Sequence, residues 1–163
     1  MGNGHDTLFL AGLVGEKGHV HAFDVQEAAL DSTRQRLDGA GIDAGRVTLY
    51  LRDHADMLSS LPDGAAGRVA AVMFNLGYLP GGDHAVITRR DSTLQALDAA
   101  VRLLRPGGVV AVVVYPGHEG GGDEAAAVDE WAGSLPQAEY QALSYKFLNQ
   151  RNAPPYVVAI EKR

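Results

Sequence analysis

The 163-residue sequence contains no cysteine. That excludes a disulfide framework and any thiolate metal site, and removes any argument for an oxidising compartment. Long apolar runs are missing as well. No stretch has the unbroken length that crossing a bilayer needs, and no basic segment leads into an apolar signal core near the N-terminus. These absences predict a cytoplasmic protein that does not enter a membrane. Positive charge is scarce, with 14 Lys and Arg against 20 Asp and Glu and a formal net charge of −6. Bulk electrostatics therefore give no support for nucleic-acid binding. The deficit is uneven: residues 1–70 carry 10 acids and 6 bases, residues 71–163 carry 10 acids and 8 bases. Any basic face belongs to the second half, where Arg89, Arg90, Lys146 and Arg151 are either its candidates or ordinary solvated charges. The six histidines fall at no recognised metal-ligand spacing, which predicts no metal. No G-x-S-x-G elbow occurs and no serine follows a strand, so a Ser-His-Asp hydrolase is unsupported.

What is present is an alternation of strand and helix patterns, with 46% hydrophobic residues to build a core. Gly2, Asn3 and Gly4 read as a glycine turn feeding a helix from Asp6 to Val14, and His19 to Asp24 as a buried strand. A helix from Gln26 to about Ala40 follows, with Ala29, Leu30, Thr33 and Leu37 at helical spacing and Gly39 and Gly41 ending it. Val47 to Asp53 is a second strand, Ala55 to Leu61 a short helix, and Val69 to Asn75 a third strand. Thr88 with Asp91 three residues on predicts a capping box for a helix reaching Leu104, stopped by Arg105, Pro106, Gly107 and Gly108. The segment GVVAVVVY is a fourth strand. Nearly continuous apolar strands alternating with helices predict a doubly wound α/β domain with a mostly parallel sheet. Ala138 to Asn149 and Pro155 to Arg163 are too close in sequence for a parallel crossover, so they should form an antiparallel hairpin at one sheet edge.

Ligands of open α/β sheets bind beyond the carboxyl ends of the strands. Asp24 ends its strand about 20 residues after the glycine turn, where a carboxylate can accept from the hydroxyls of an adenosine ribose; it could equally be a helix N-cap. Asp53 and His54 end the next strand, where an acid and a planar ring suit an adenine. After the third strand comes NLGYLPGGDHAVIT, a long Gly- and Pro-rich loop that sheet geometry alone does not require. After the fourth comes PGHEGGG with His118 and Glu119, and NQRNAPP lies between the last two strands. A glycine turn with a ribose acid fits a nicotinamide dinucleotide or S-adenosylmethionine. Thr7 stands where the dinucleotide fingerprint needs its third glycine, and the closing antiparallel hairpin is a class I methyltransferase feature, so methyl transfer is favoured.

Together, in order, GNGHDT, AFDVQ, NLGYLPGGDH, TLQAL, LRPGG, YPGHEGG and FLNQRNAPP resemble the small bacterial YtqB-like methyltransferases, over the whole chain. The resemblance implies a class I, Rossmann-like fold and S-adenosylmethionine-dependent methylation of tRNA, converting wobble 5-aminomethyl-2-thiouridine to its methylaminomethyl form. It leaves a homodimer open. The alternatives are an rRNA or small-molecule methyltransferase of the same fold, or an inactive cofactor-binding fragment. Members of this family carry a strand ending in Asp just before the M-G-N-G segment. The expectation is a single domain over 1–163 that lacks its first strand, with an omitted N-terminal segment of about 20 to 30 residues. Losing that strand would leave its two neighbours unpaired.

Carried over by position, the resemblance implies that Asn3, Gly4, His5, Asp6 and Thr7 line the methionine end of the cofactor. Asp24 and Gln26 then hold the ribose, and Asp53 and His54 the adenine end. Asn75, which also borders the cofactor, and the carbonyl of Leu76 would grip the target nitrogen, with Tyr78 stacking on the target base. Pro80, His118, Asn149, Gln150 and Asn152 complete the substrate side. Leu76 and Gly77 stand where amino-methylating enzymes often carry two prolines between the Asn and the Tyr.

Overall fold

The computed structural model describes residues 1–77, 87–118 and 120–163. Tyr78 and Pro80 lie outside the described residues, as does Glu119. The described chain forms two compact units, Met1–His54 and Ala55–Gly77 with Ile87–Arg163.

In the first unit Gly4 takes a left-handed conformation (φ 79°) and caps α1 (His5–Leu13). The chain continues through β1 (Val20–Asp24), α2 (Glu27–Gly39) and β2 (Val47–Leu51). Past the end of α2 the Gly41 N–H donates to the Asp38 carbonyl and the Ile42 N–H to the Leu37 carbonyl, with Gly41 at φ 67°. This closes the helix as its glycines predicted. β1 and β2 pair in parallel, from Val20 beside Val47 to Asp24 beside Leu51. Strand alternation sorts the side chains of β1 onto two faces. Val20 packs in a cluster with Ala11 of α1 and Leu37 of α2, joined by Leu8, Leu10, Ile42, Val47 and Leu49. The other face carries rings: Phe23 stacks on Tyr50 at 4.5 Å between centroids, and His21 Nδ1 lies 3.0 Å from the Tyr50 hydroxyl.

The second unit holds α3 (Met57–Ser60), β3 (Val69–Asn75), α4 (Arg90–Leu103), β4 (Leu104–Val114), α5 (Gly121–Ser134), β5 (Tyr140–Tyr145) and β6 (Tyr156–Lys162). Its sheet has the order β3-β4-β6-β5. β3 runs parallel to β4, while β6 is antiparallel to both β4 and β5. The C-terminal antiparallel hairpin is therefore present. The register shifts between Val69 opposite Leu104 and Ala71 opposite Val109, so residues 105–108 bulge at the predicted Arg-Pro-Gly-Gly stop. Val110, Val112 and Val114 of β4, Val158 and Ile160 of β6, Leu97 and Leu103 of α4 and Val128 of α5 are all buried. Among the described residues the strands thus form one two-stranded and one four-stranded sheet, and β1 and β3 each have a single hydrogen-bonded strand neighbour. No described helix is long and apolar enough to cross a membrane.

One sequence expectation is corrected here. The residue at the N-cap of α4 is Arg89, which makes no side-chain capping bond. Thr88 forms no capping box with Asp91, because its hydroxyl is taken by partners remote in sequence: it accepts from the Gly77 N–H (2.7 Å) and donates to Glu124 Oε2 (2.9 Å).

Burial, with a smaller contribution from the neighbouring His19, holds the His21 imidazole below its ordinary range. Below pH 6.5, the unfolded chain then binds a proton that the folded chain resists, so this contribution is full above that pH and is lost as the pH falls. The midpoint of thermal unfolding should drop between pH 7.5 and about 5.5, and the drop should be smaller in His21→Gln. An identical pH dependence in both proteins would remove His21 from the account.

Candidate active site

In the first unit, parallel pairing places the carboxyl ends of β1 and β2 side by side, with the Arg52 N–H donating to the Asp24 carbonyl (2.9 Å). Asp24 ends β1, and Asp53 follows the end of β2 by two residues, its Oδ1 lying 3.7 Å from His54 Nε2. The glycine turn is tied to this end: Asp24 Oδ2 accepts from the Gly2 N–H (2.9 Å) and the Met1 ammonium (3.2 Å), and Oδ1 accepts from the Gln26 N–H (3.0 Å). Gln26 is extended and immediately precedes α2, with its backbone, not its side chain, on Asp24. Asn3 turns its carbonyl to the Arg36 Nε (2.7 Å). His5 and Asp6 open α1, whose first turn has no side-chain cap at Gly4, and Thr7 is buried beneath it. These residues, predicted from their spacing and from the family resemblance, assemble into a turn, a helix N-terminus and two acids at one end of a parallel strand pair. Such an end suits a nucleoside with hydroxyl and amino donors.

In the second unit the sheet register gathers another group. Asn75 lies opposite Val113, Val114 opposite Tyr156, and Tyr145 opposite Val157. The carboxyl ends of β3 and β4, the end of β5 and the start of β6 therefore share one end of the sheet. Asn75 is exposed and Leu76 is buried, the Leu76 N–H continuing the ladder to the Val113 carbonyl (3.1 Å). His118 follows β4, and a Cβ placed on Gly77 would lie 3.5 Å from His118 Nε2. A Cβ on Gly117 would lie 3.4 Å from the Ala153 carbonyl and 3.7 Å from that of Asn152, so the loop after β4 meets the loop before β6. Asn149, Gln150 and Asn152 are exposed on that loop, and Asn152 takes a left-handed backbone (φ 66°). The predicted substrate residues described in the structure thus stand at the same end as Asn75. Arg89 and Arg90 at the start of α4 and Arg151 are exposed. Lys146 is committed to Asp129 at 2.7 Å and to the face of Tyr156. Burial, helped by Asp129, pushes the Tyr156 phenol well above its ordinary range, so it stays protonated.

Three residues at this end were missed in the sequence. Tyr115, one residue past β4, donates its hydroxyl to Asn75 Oδ1 (3.3 Å); its place at the end of the strongest strand was the available signal. Thr88 was assigned to a helix cap instead. Glu124 is buried, with Oε1 accepting from Thr93 (2.6 Å) and Oε2 from Thr88 (2.9 Å). Its signal was an acid on the otherwise small and apolar stripe Gly121, Glu124, Ala125, Val128, Ala132, at helical spacing.

A family model described as "Putative rRNA methylase" matches residues 20–161. The chain is 40% identical over 168 residues to the chloroplastic tRNA (mnm(5)s(2)U34)-methyltransferase of Arabidopsis thaliana, covering 99% of this chain and 61% of that protein. It thus spans less than two thirds of that relative's length. A "putative rRNA-methylase" from Clostridium thermocellum superposes with a TM-score of 0.93 at 43% identity, covering 99% of this chain and 84% of the other. A "putative methyltransferase" from Streptococcus mutans, in complex with SAH, gives a TM-score of 0.88 at 39% identity, covering 100% of this chain and 85% of the other.

The glycine turn carries its own test. A Cβ on Gly4 would sit 2.8 Å from the Thr33 Cα, on a backbone at φ 79°. Gly4→Ala should lose about 1 to 2 kcal/mol to the left-handed conformation alone, and more to the collision with α2. Urea denaturation followed by circular dichroism measures it, and an unchanged midpoint would show that the turn does not need its glycine.

Proposed function

The chain belongs to the "Putative rRNA methylase" family, and from that premise we propose that it is an S-adenosylmethionine-dependent N-methyltransferase acting on RNA. The substrate we assign is the wobble 5-aminomethyl-2-thiouridine of tRNA, methylated on its amine. The observation that carries this reading is the 40% identity, across 99% of this chain, to a methyltransferase named for that wobble nucleoside. Supporting it is the exposed Asn75 at the carboxyl end of β3, beside the buried Leu76.

The hydrogen-bonding groups of the first unit support the cofactor part of this reading. Gly4 lies so close to Thr33 that only a glycine turn can pass there, which leaves backbone N–H groups and the start of α1 for the methionine end. Asp24 Oδ1 has room for a ribose hydroxyl beside the Gln26 N–H, and Asp53 with His54 stands on the neighbouring strand for the base. When bound, S-adenosylmethionine supplies a methyl group already activated on a sulfonium. The protein therefore has to position and desolvate rather than to activate.

On the substrate side a primary amine attacks only when neutral. Asn75 Oδ1 and the Leu76 carbonyl, both acceptors without a proton to give, hold its two hydrogens and aim its lone pair. Acceptors around an amine would favour the ammonium form as well, so selection of the neutral form falls to exclusion of water. Tyr115, whose hydroxyl lies 3.3 Å from Asn75 Oδ1, anchors that side chain at the end of β3. Arg89, Arg90 and Arg151 supply the local positive charge that an RNA backbone needs and that the whole chain lacks.

Asp24→Ala should weaken S-adenosylmethionine binding by about 1 to 3 kcal/mol, measured by calorimetry. Asn75→Ala should instead lower kcat by about 30-fold to 1000-fold, the equivalent of ~2 to 4 kcal/mol, with little change in cofactor affinity. Single-turnover methylation of hypomodified tRNA, with rRNA and amine metabolites as parallel acceptors, tests both the residue and the substrate. Methyl transfer confined to rRNA or to metabolites would overturn the tRNA assignment.

A further inference from the structure

We propose that Glu124 is a positioning residue for methyl transfer, acting through Thr88 to orient the Leu76–Gly77 peptide and so aim the Leu76 carbonyl at the target amine. The inference rests on the functional reading above for what that carbonyl does, and on independent geometry for how it is held. Glu124 is 3% exposed, forms no ion pair among the described residues, and each carboxylate oxygen accepts from a threonine hydroxyl, Thr93 at 2.6 Å and Thr88 at 2.9 Å. A carboxylate this buried is costly unless its hydrogen bonds are needed. Thr93 is wholly buried in α4 and anchors one side. The other side leads to the site. Thr88 gives its only hydroxyl proton to Glu124, so its oxygen is left to accept, and it accepts from the Gly77 N–H at 2.7 Å. The Thr88 N–H returns the bond to the Gly77 carbonyl at 2.9 Å.

The Gly77 N–H and the Leu76 C=O belong to one planar trans peptide, in which they point in opposite directions. Directing the N–H toward Thr88 therefore directs the Leu76 carbonyl away from Thr88 and Glu124. The direction of the proton matters too. Because the Thr88 hydrogen goes to Glu124, the hydroxyl presents only its oxygen to Gly77, and the chain from N–H through hydroxyl to carboxyl group polarises the peptide so that the Leu76 oxygen gains acceptor strength. Gly77 has φ 113°, a conformation that an L side chain rarely adopts, and a proline there would have neither that φ nor an N–H for Thr88. The departure from the two prolines of amino-methylating enzymes is thus matched by a different way of fixing the same peptide.

The test uses Thr88→Val, which keeps the shape and removes the oxygen, Thr88→Ser, which keeps the oxygen, and Glu124→Gln, which keeps the volume and removes one acceptor. Two readouts are taken on the full-length protein: hydrogen exchange of the Gly77 amide by NMR, and methylation kinetics on hypomodified tRNA. Thr88→Val should expose the Gly77 amide to exchange and lower kcat about 10-fold to 100-fold, with KM for tRNA and affinity for S-adenosylmethionine within about twofold. Thr88→Ser should restore both amide protection and kcat, and Glu124→Gln should fall between. Wild-type protection and kcat in Thr88→Val would overturn the proposal. So would a kcat loss that Thr88→Ser fails to rescue, since that would mark a packing effect. If Glu124→Gln fails to fold, the threonine pair decides alone. A wild-type protein that methylates no RNA would overturn the functional reading instead, and Gly77 exchange in Thr88→Val would then still decide whether the relay holds the peptide.

Discussion

A buried strand must satisfy its backbone on both edges, and β4 is where this requirement bears most heavily. Its residues 109–113 pair with β3 on one side and β6 on the other, while Val110, Val112 and Val114 are closed off from water. Every unpaired N–H or C=O there would cost free energy comparable to a lost hydrogen bond. The register of the second unit is consequently tight, because a one-residue slip would turn the valines outward. Register, in turn, sets which residues emerge at the end of the sheet. Asn75 and Tyr115 can meet because β3 and β4 end within two residues of each other, and the hairpin loop arrives there because Tyr156 pairs with Val114. Site geometry at this end is inherited from backbone hydrogen bonding.

Legibility in the sequence followed the range of the forces involved. β3 occupies Val69–Asn75 as read, because continuous β-branched and apolar residues bounded by Gly and Asn leave little choice. The glycine turn before α1, the helix stop at Gly39 and Gly41 and the antiparallel hairpin were equally clear, each being decided within a few residues. Thr88 was misread for the opposite reason. Its spacing to Asp91 suits a cap, yet a buried carboxylate 36 residues away and a backbone N–H 11 residues back compete for the same hydroxyl and win. Short-range patterns show what a side chain can do locally, and they are blind to a stronger partner brought in by folding.

The candidate site divides along similar lines. Strand ends marked Asp24, Asp53 and Asn75 because open α/β sheets bind ligands there, and that rule needs only strand boundaries. How each group is engaged was not legible. The Gly2 and Gln26 N–H groups on Asp24 come from the glycine turn and from the entry to α2, and neither partner follows from strand boundaries. The Tyr115 hydroxyl anchors the Asn75 side chain, and that pairing depends on a strand register no motif records.

The two-way bond between Gly77 and Thr88 also bears on how this chain could change over time. It fastens the point where the main chain leaves β3 to the point where it enters α4, so that the end of the strand and the start of the helix are held to each other. Selection can therefore alter the end of this strand or the start of this helix only within what the other element tolerates.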